Sequence, residues 1–249
     1  MYQNSPYKTI PTELLDKYTL NNTIPVLDWW LDQSSQTCYK WTDDLIESYV
    51  SRFTPTNIKN NKEGESPYGH RRVAELLYSF EKYNVENKKV AVVGSETPWL
   101  EAILINLNND VTTIEYNISE TNFDKLTTKD YFNYFENNKD TYDCIVTYSS
   151  IEHSGLGRYG DPLDPKGDIK TMKVIRDNLK SDGLLIWGAP VGHDALVWNV
   201  HRIYGKIRLP LLFKDFEEIE WVSCDKNILL NRPLQNNSNN PVVILKKNS

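Results

Sequence analysis

Apolar residues along this chain change their spacing at residue 89. Before that point, "TDDLIESYVSRF" (42–53) and "HRRVAELLYSFEKY" (70–83) place apolar residues three or four positions apart, the spacing of amphipathic helices. From Lys89 onward the chain contains short, continuous apolar runs rich in β-branched residues. Such runs are typical of strands buried on both faces of a parallel sheet. The pattern predicts helices in the first third of the chain and alternating strands and helices thereafter.

The alternating region predicts a doubly wound sheet. Its predicted strands are "KVAVVG" (89–94), "DVTTIEYN" (110–117), "YDCIVTYSS" (142–150), "LLIWGAPV" (184–191), "FEEIEWVSC" (216–224) and "PVVILKK" (241–247). Its predicted helices are "TPWLEAILINL" (97–107) and "DIKTMKVIRDNLKSDG" (168–183), the latter capped by Asp168 and ending near Gly183. We therefore expect an α/β fold with a Rossmann-like, mostly parallel sheet over residues 67–249, and an N-terminal extension or cap over residues 1–66.

Net charge, cysteine spacing and the length of apolar runs limit the kinds of partner and compartment that we expect. The net charge of -6 argues against a nucleic-acid partner, since those proteins carry basic surfaces. Cys38, Cys144 and Cys224 lie far apart and show no metal-ligand spacing, which favours a reduced, cytoplasmic compartment. We expect no signal peptide at "MYQNSPYKTIPTELL" and no membrane span, because no apolar run approaches ~18 residues. The sequence carries no indication of an oligomeric state.

A glycine ends the first predicted strand in "VAVVGSETPWLEA" (90–102). In open α/β sheets, ligands bind beyond the carboxyl ends of the strands, and a glycine there lets a ligand approach the backbone. Gly94 is followed by Ser95 and Glu96 rather than by further glycines, so an ordinary strand-to-helix turn remains an alternative. Glu115 lies 21 residues after Gly94, at the end of the next strand, where an acid can accept hydrogen bonds from both hydroxyls of a ribose. A solvated acid at a strand end is the alternative for Glu115.

These features together resemble the class I S-adenosylmethionine-dependent methyltransferases. "YDCIVTYSSIEH" (142–153) is similar to the fourth strand of that fold, which often starts with aspartate and ends in a Glu-His pair, and "LKSDGLLIWGAPV" (179–191) is similar to the next segment. The stretches "YSSIEHSGLGRYGDPLDPKGD" and "WNVHRIYGKIRLPLLF" also resemble an uncharacterised domain-of-unknown-function family assigned to that fold. The resemblance covers residues 88–247 and lacks the usual glycine triplet. It implies S-adenosylmethionine as the cofactor, with binding residues at Gly94, Ser95, Glu96, Glu115, Tyr116, Ser149 and Ser150.

Histidines follow two of the predicted strands on the cofactor side. His153 is the first candidate for a base that takes a proton from an alcohol nucleophile, and His193, oriented by Asp194, is the second. If His153 is that base, the rate should fall as the pH drops through about 6 to 7. A histidine that only braces the glycine-rich loop is the alternative at position 153. For "GAPVGHDALVWNVHRIYG" (188–205), a wall of the active site and a purely structural segment are equally compatible with the sequence.

Three aspartates occur close together after His153. Asp161 and Asp164, together with Asp168, stand on a proline-stiffened loop and could bind Mg²⁺ or Ca²⁺, which prefer oxygen ligands. Their spacing is not that of an EF-hand loop, and Asp168 already has a role as a predicted helix cap. Arg158 could pair with one of these acids or bind an acidic substrate.

The leading hypothesis is an S-adenosylmethionine-dependent methyltransferase. We expect it to methylate an oxygen of a small polar molecule, a sugar or a glycan, with neither nucleic acid nor a membrane as partner. Two alternatives stay open: a non-catalytic binding or scaffold protein with this fold, and a metal-dependent transferase or hydrolase that uses the Asp161, Asp164 and Asp168 loop.

Overall fold

The structure is a computed structural model that describes residues 6–35, 40–116, 121–139, 141–234 and 239–248. The helices of these residues are α1 (Thr12–Thr19), α2 (Asp43–Arg52), α3 (Pro55–Lys59), α4 (Gly69–Lys82), α5 (Trp99–Asn106), α6 (Gly167–Asn178), α7 (Leu209–Leu212) and α8 (Lys226–Leu230). The strands are β1 (Val26–Asp28), β2 (Lys89–Val93), β3 (Asp110–Glu115), β4 (Leu126–Asp130), β5 (Tyr142–Tyr148), β6 (Leu179–Gly188), β7 (Ala195–Trp198), β8 (His201–Ile203), β9 (Phe216–Val222) and β10 (Val242–Lys247). Single 3₁₀ turns lie at Phe135–Asn137 and Ile151–His153.

Seven strands of the described residues form one sheet in the order β4-β3-β2-β5-β6-β10-β9. The first five of these are parallel, and β10 runs antiparallel to both β6 and β9. The strand order reverses between β2 and β5, so a crevice opens at the carboxyl ends of these two strands. The predicted α/β class with a mostly parallel, doubly wound sheet is confirmed.

Each face of this sheet packs against helices because successive strand residues point to opposite sides. Val90 and Val92 of β2 belong to a core that also contains apolar residues of α2, α4 and α5. Ala91 and Val93 belong to the core on the other face, with Met172 and other residues of α6. Burial on both faces explains why these strands appear as continuous apolar runs rather than as alternating patterns.

A second, three-stranded sheet of order β1-β7-β8 lies beyond β6. β1 comes from the N-terminal extension and pairs in parallel with β7. The side chains of Ile46, Phe53 and Ile58 are fully buried in the first core. The described part of residues 1–66 therefore contributes one strand and three helices that pack on the rest of the chain.

The structure corrects one predicted element. The helix expected over residues 168–183 ends at Asn178, because Leu179 already pairs with Tyr142 as the first residue of β6. Asp168 lies inside that helix rather than at its N-cap, which is Lys166. The predicted end of the strand at Asn117, like Cys38, lies outside the described residues. Among the helices that the structure describes, none is both long and apolar enough to span a membrane.

Candidate functional site

A cavity of about 540 Å³ opens at the carboxyl ends of β2, β3 and β5. This volume is within the range of roughly 300–1,000 Å³ that small-molecule sites occupy. Its wall includes all of the predicted cofactor-binding residues, namely Gly94, Ser95, Glu96, Glu115, Tyr116, Ser149 and Ser150. His153 and Asp161 also line it. The sheet thus brings together side chains that are far apart in sequence.

The turn after β2 requires glycine at one position. Gly94 has a φ of +77°, and a Cβ at this residue would lie 1.8 Å from Ser150 Oγ. Its N–H donates to Ile114 O at 3.0 Å, which holds the turn against the end of β3. A left-handed backbone with no space for a side chain is available to glycine alone without strain. Among the described residues of this turn, Gly94 is the one with a positive φ, so the fold does not need the glycine triplet here.

Glu115 reaches back from the end of β3 to the same turn. Its Oε2 accepts the N–H of Ser95 at 3.1 Å and its Oε1 accepts the N–H of Tyr116 at 2.7 Å. Burial raises the pKa of the Glu115 carboxyl, and the two backbone donors oppose that rise. Since a carboxylate has about four acceptor positions, Glu115 keeps the capacity to accept further hydrogen bonds from a ligand in the cavity.

A second acid supports the turn from within α5. Glu101 is fully buried and accepts hydrogen bonds from Ser95 Oγ at 3.1 Å and from Thr113 Oγ1 at 2.8 Å. Burial raises the pKa of its carboxyl to about 7. The sequence did not reveal this residue, because it sits at an ordinary position of an apolar helix. Its polar character in "WLEAILIN" is the one available signal.

Three aromatic side chains form one wall of the cavity. The ring centroids of Tyr68 and Tyr148 lie 4.9 Å apart, and Trp99 lies 5.7 Å from Tyr68 and 6.1 Å from Tyr148. Trp41 also lines the cavity and donates from Nε1 to Glu96 O at 3.3 Å. Aromatic walls provide apolar contact area and faces that attract cations.

A polar end of the cavity begins with Glu152 and His153. His153 Nδ1 lies 2.6 Å from Val200 O, and since a carbonyl only accepts, Nδ1 carries the proton and Nε2 the lone pair. Glu152 accepts the Ser149 hydroxyl at 3.0 Å through Oε1, which lies 3.7 Å from His153 Nε2. Burial raises the pKa of the Glu152 carboxyl to about 7. Burial and the charge of Arg158 lower the pKa of His153 to about 3.

Arg158, Gln33 and His201 complete this polar end. Arg158 donates from Nε to Gln33 Oε1 at 2.5 Å, and the N–H of Gln33 donates to Arg158 O at 2.9 Å. Burial and Arg158 lower the pKa of His201 to about 4. Because Gln33 follows β1, the N-terminal extension forms part of the cavity wall. Sequence patterns could not reveal this, since the contact joins segments more than 100 residues apart.

The predicted metal site is not formed. Asp161 accepts the N–H groups of Gly155, Gly157 and Tyr159, and it thereby folds the loop after β5. Asp164 pairs with Lys170 at 2.5 Å. Asp168 is buried and pairs with Arg208 at 2.6 Å. Within the described ranges, no three His, Cys, Asp or Glu side chains are placed to hold a metal ion. The expectation of Mg²⁺ or Ca²⁺ at Asp161 and Asp164 is therefore corrected, because their carboxylates already serve the fold.

A family model matches residues 87–244, described as "Caenorhabditis protein of unknown function, DUF268". The chain belongs to the DUF268 family. No curated protein matches it. Its fold is that of the class I S-adenosylmethionine-dependent methyltransferases, as two solved structures illustrate.

The first of these structures is the 1,6-didemethyltoxoflavin-N1-methyltransferase of Burkholderia thailandensis, bound to 1,6-didemethyltoxoflavin and S-adenosylhomocysteine. It has a TM-score of 0.54 and 11% identity, covering 87% of this chain and 94% of the enzyme. The second is the N-methyltransferase NodS of Bradyrhizobium japonicum WM9 with S-adenosylhomocysteine. Its TM-score is 0.50 at 11% identity, covering 83% of this chain and 100% of NodS. Identities this low establish the fold of the DUF268 chain and not its reaction.

Two predicted catalytic residues lie away from the cavity of this DUF268 protein. His193 is exposed and is not part of the cavity wall. Asp194 does not orient it, because the Asp194 carboxylate accepts the N–H groups of Gly205, Ile207 and Arg208. Asp194 thus holds the turn before α7. The structure brings His153 to the cavity and leaves His193 and Asp194 outside.

Proposed function

We propose that this protein is an S-adenosylmethionine-dependent methyltransferase that acts on an oxygen of a small polar molecule, for example a sugar. The observation that carries the proposal is that the Gly94 turn and the carboxylate of Glu115 meet on the wall of the cavity. Gly94 lines the cavity, where its missing side chain lets Ser150 pack against the turn, and Glu115 stands beside the turn with free acceptor capacity. The shared fold of two enzymes whose structures hold S-adenosylhomocysteine supports the same conclusion.

The residues around the turn fit the cofactor. Glu115 would hold the ribose hydroxyls, with the backbone of Ser95 and Tyr116 fixing its carboxylate. Ser149 and Ser150 at the end of β5 would form the floor on the other side of Gly94. The cofactor, when bound, supplies an electrophilic methyl group on a positively charged sulfur. The aromatic wall of Tyr68, Trp99 and Tyr148 suits such a cation.

His153 and Glu152 would share the handling of the acceptor. His153 Nε2 keeps its lone pair because Nδ1–H is bound to Val200 O, so it can accept a hydrogen bond from an acceptor hydroxyl. A pKa of about 3 makes His153 a poor proton acceptor at neutral pH, whereas the pKa of about 7 at Glu152 matches the usual optimum for a general base. We infer that His153 orients the hydroxyl and Glu152 takes its proton. The fall in rate expected at about pH 6 to 7 would then report on Glu152.

Oxygen is favoured over nitrogen as the methyl acceptor by the charge of the polar end. An amine is mostly protonated at neutral pH, and Arg158 lies 3.5 Å from His153 at this end of the cavity. A cationic ammonium group would meet both this charge and the positive sulfur of the cofactor. A neutral hydroxyl avoids that repulsion.

Calorimetric titration with S-adenosylmethionine and S-adenosylhomocysteine tests the proposal. Both should bind one per chain, and NAD, which other Rossmann-like folds bind, should not. If neither S-adenosylmethionine nor S-adenosylhomocysteine binds to the folded protein, the proposal is contradicted and a scaffold role is favoured. Binding of NAD alone would move the protein to another class of enzyme.

A further inference from the structure

Three groups that can carry positive charge face the polar end of the cavity. Arg158 Nη1 lies 3.5 Å from His153 Nδ1, and the ring centroids of His153 and His201 are 6.5 Å apart. All three residues line the cavity wall. They come from two separate segments, the loop after β5 and the strand β8. The fold therefore assembles one guanidinium and two imidazoles at one place on the wall.

Among the described residues no carboxylate forms a salt bridge with Arg158, and the acid that its charge reaches is Glu152, whose pKa it lowers. Its guanidinium donates to neutral acceptors, Gln33 Oε1 and Val200 O. The other arginines near this loop are different, since Arg202 and Arg208 both pair with the buried carboxylate of Asp168. A partly buried guanidinium without a carboxylate is costly unless a ligand supplies the charge.

His201 also has a buried ring nitrogen for which the described residues provide no hydrogen-bond partner. Among the residues that the structure describes, no group hydrogen-bonds to His201 Nε2, although this atom has no contact with solvent. Burial and the nearby Arg158 lower the pKa of this imidazole to about 4. An anion beside the ring would offset both effects, because it would accept a hydrogen bond from the ring and weaken the field of Arg158.

We propose that Arg158 and His201 form a binding site for an anionic group, a carboxylate or a phosphate, carried by the methyl acceptor. That the anion belongs to a methyl acceptor rests on the proposed function, whereas the anion site itself does not. Arginine matches both groups because its planar donors can engage two oxygens at once. The acceptor is then a small acid with a hydroxyl to be methylated near Glu152 and His153.

The acids of this region do not repel such a ligand strongly. The raised pKa of Glu152, about 7, keeps much of it protonated up to neutral pH, and the protonated carboxyl can donate a hydrogen bond. The carboxylate of Asp161 is surrounded by three backbone N–H groups, which offset its charge. Arg158 and Arg202 both lower the pKa of His153, so the local field at this histidine is positive.

The test is a calorimetric titration of the full chain with inorganic phosphate and with acetate at constant ionic strength. At least one of the two anions should bind saturably, and the one that binds identifies the group. Arg158→Gln should weaken that binding at least tenfold, and His201→Gln should weaken it severalfold. Arg176→Gln is the matched control, because it removes the same charge from α6 outside the cavity, and it should leave the affinity unchanged.

A second series is run with S-adenosylhomocysteine at saturation. Anion binding should persist, since the site is assigned to the acceptor. Displacement of the anion by S-adenosylhomocysteine would overturn the proposal, because the site would then belong to the carboxylate of the cofactor. Equal weakening in Arg176→Gln, or no binding of either anion by a folded wild-type protein, would also overturn it. If Arg158→Gln does not fold, His201→Gln and Arg158→Lys decide, the latter being expected to weaken binding without abolishing it, because lysine keeps the charge but not the two-oxygen geometry. Anion binding in a protein that does not bind S-adenosylhomocysteine would reject the methyltransferase proposal and leave the anion site standing.

Discussion

At the scale of single residues, Gly94 shows why the turn after β2 needs glycine. Replacing it with alanine places a Cβ 1.8 Å from Ser150 Oγ and 2.4 Å from Ser150 Cβ, at a φ of +77°. We expect Gly94→Ala to lower the free energy of unfolding by roughly 1–3 kcal/mol, measured by urea denaturation. Gly192→Ala is the control, because its new Cβ would meet nothing closer than 3.6 Å and its φ is not positive. Equal losses in both variants would contradict the role of the turn.

The proposed binding site for the cofactor depends most on Glu115. Glu115→Ala should weaken the binding of S-adenosylhomocysteine by roughly 1–3 kcal/mol, because the buried ribose hydroxyls would lose their acceptor. Calorimetry measures this directly, and Glu217→Ala on an exposed position of β9 serves as the control. An unchanged dissociation constant in a folded Glu115→Ala protein would remove this residue from the site.

The sequence indicated which residues would line the site more successfully than it indicated what each of them does. Gly94, Glu115 and His153 could be found because strand ends in a parallel sheet meet at one edge, and their order along the chain follows from the apolar runs. Their acid-base properties could not be predicted, since these depend on burial and on side chains that are distant in the sequence. Burial together with Arg158 makes His153 a weaker base than an exposed imidazole, and burial makes Glu152 a weaker acid than an exposed carboxyl.

At the scale of elements, the loop after β5 is held by a buried ion network. Asp168 in α6 pairs with Arg208, and Arg202 of β8 lies 3.6 Å away and donates to Ser154 O at 2.7 Å. We expect Asp168→Asn to cost about 3–5 kcal/mol in a urea denaturation, because it leaves two buried guanidinium groups without a full counter-charge. Asp177→Asn, which removes a half-buried partner of Arg176, should cost less than about 1 kcal/mol. A small loss at Asp168 would mean that the arginines find other partners.

The elements that sequence missed share a physical cause. β4, "LTTKD", lies at the edge of the main sheet and is mostly polar, so it shows no apolar run. β1 is three residues long and is stable only because it pairs with β7, about 170 positions away. The start of β6 resembles the end of a helix, "LKSDG", and pairing with β5 decides its structure. Local patterns identify buried central strands and do not identify elements that depend on distant partners.

At the scale of the whole molecule, we propose that residues 1–66 fold together with the rest of the chain. Phe53 and Ile58 have no exposed surface and share a core with Val92 of the central strand. A chain that starts at residue 67 should therefore lack a cooperative thermal transition, and separate addition of the 1–66 segment should restore it only partly. A truncated chain with a sharp transition and the wild-type affinity for S-adenosylhomocysteine would instead show an independent domain.

The stability of the whole molecule should also respond to a single buried acid. The folded protein holds a proton on Glu101 up to a pH of about 7, because burial raises this pKa, whereas the unfolded chain releases it near the ordinary value of 4.5. Unfolding between these values releases a proton, so the contribution of Glu101 to stability falls as the pH rises. In Glu101→Gln, the amide can still hydrogen-bond to Ser95 and Thr113 but does not titrate.

The stability of Glu101→Gln relative to the wild type should consequently increase by roughly 2.5 kcal/mol between about pH 5 and pH 8. Urea denaturation at several pH values measures this difference, and taking the difference cancels the contributions of the other shifted groups. Glu217→Gln, at an exposed position, is the control for the removal of a surface charge. A difference that stays constant with pH would mean that Glu101 is ionised in the folded protein, and that Ser95 and Thr113 stabilise a buried carboxylate beside the turn after β2.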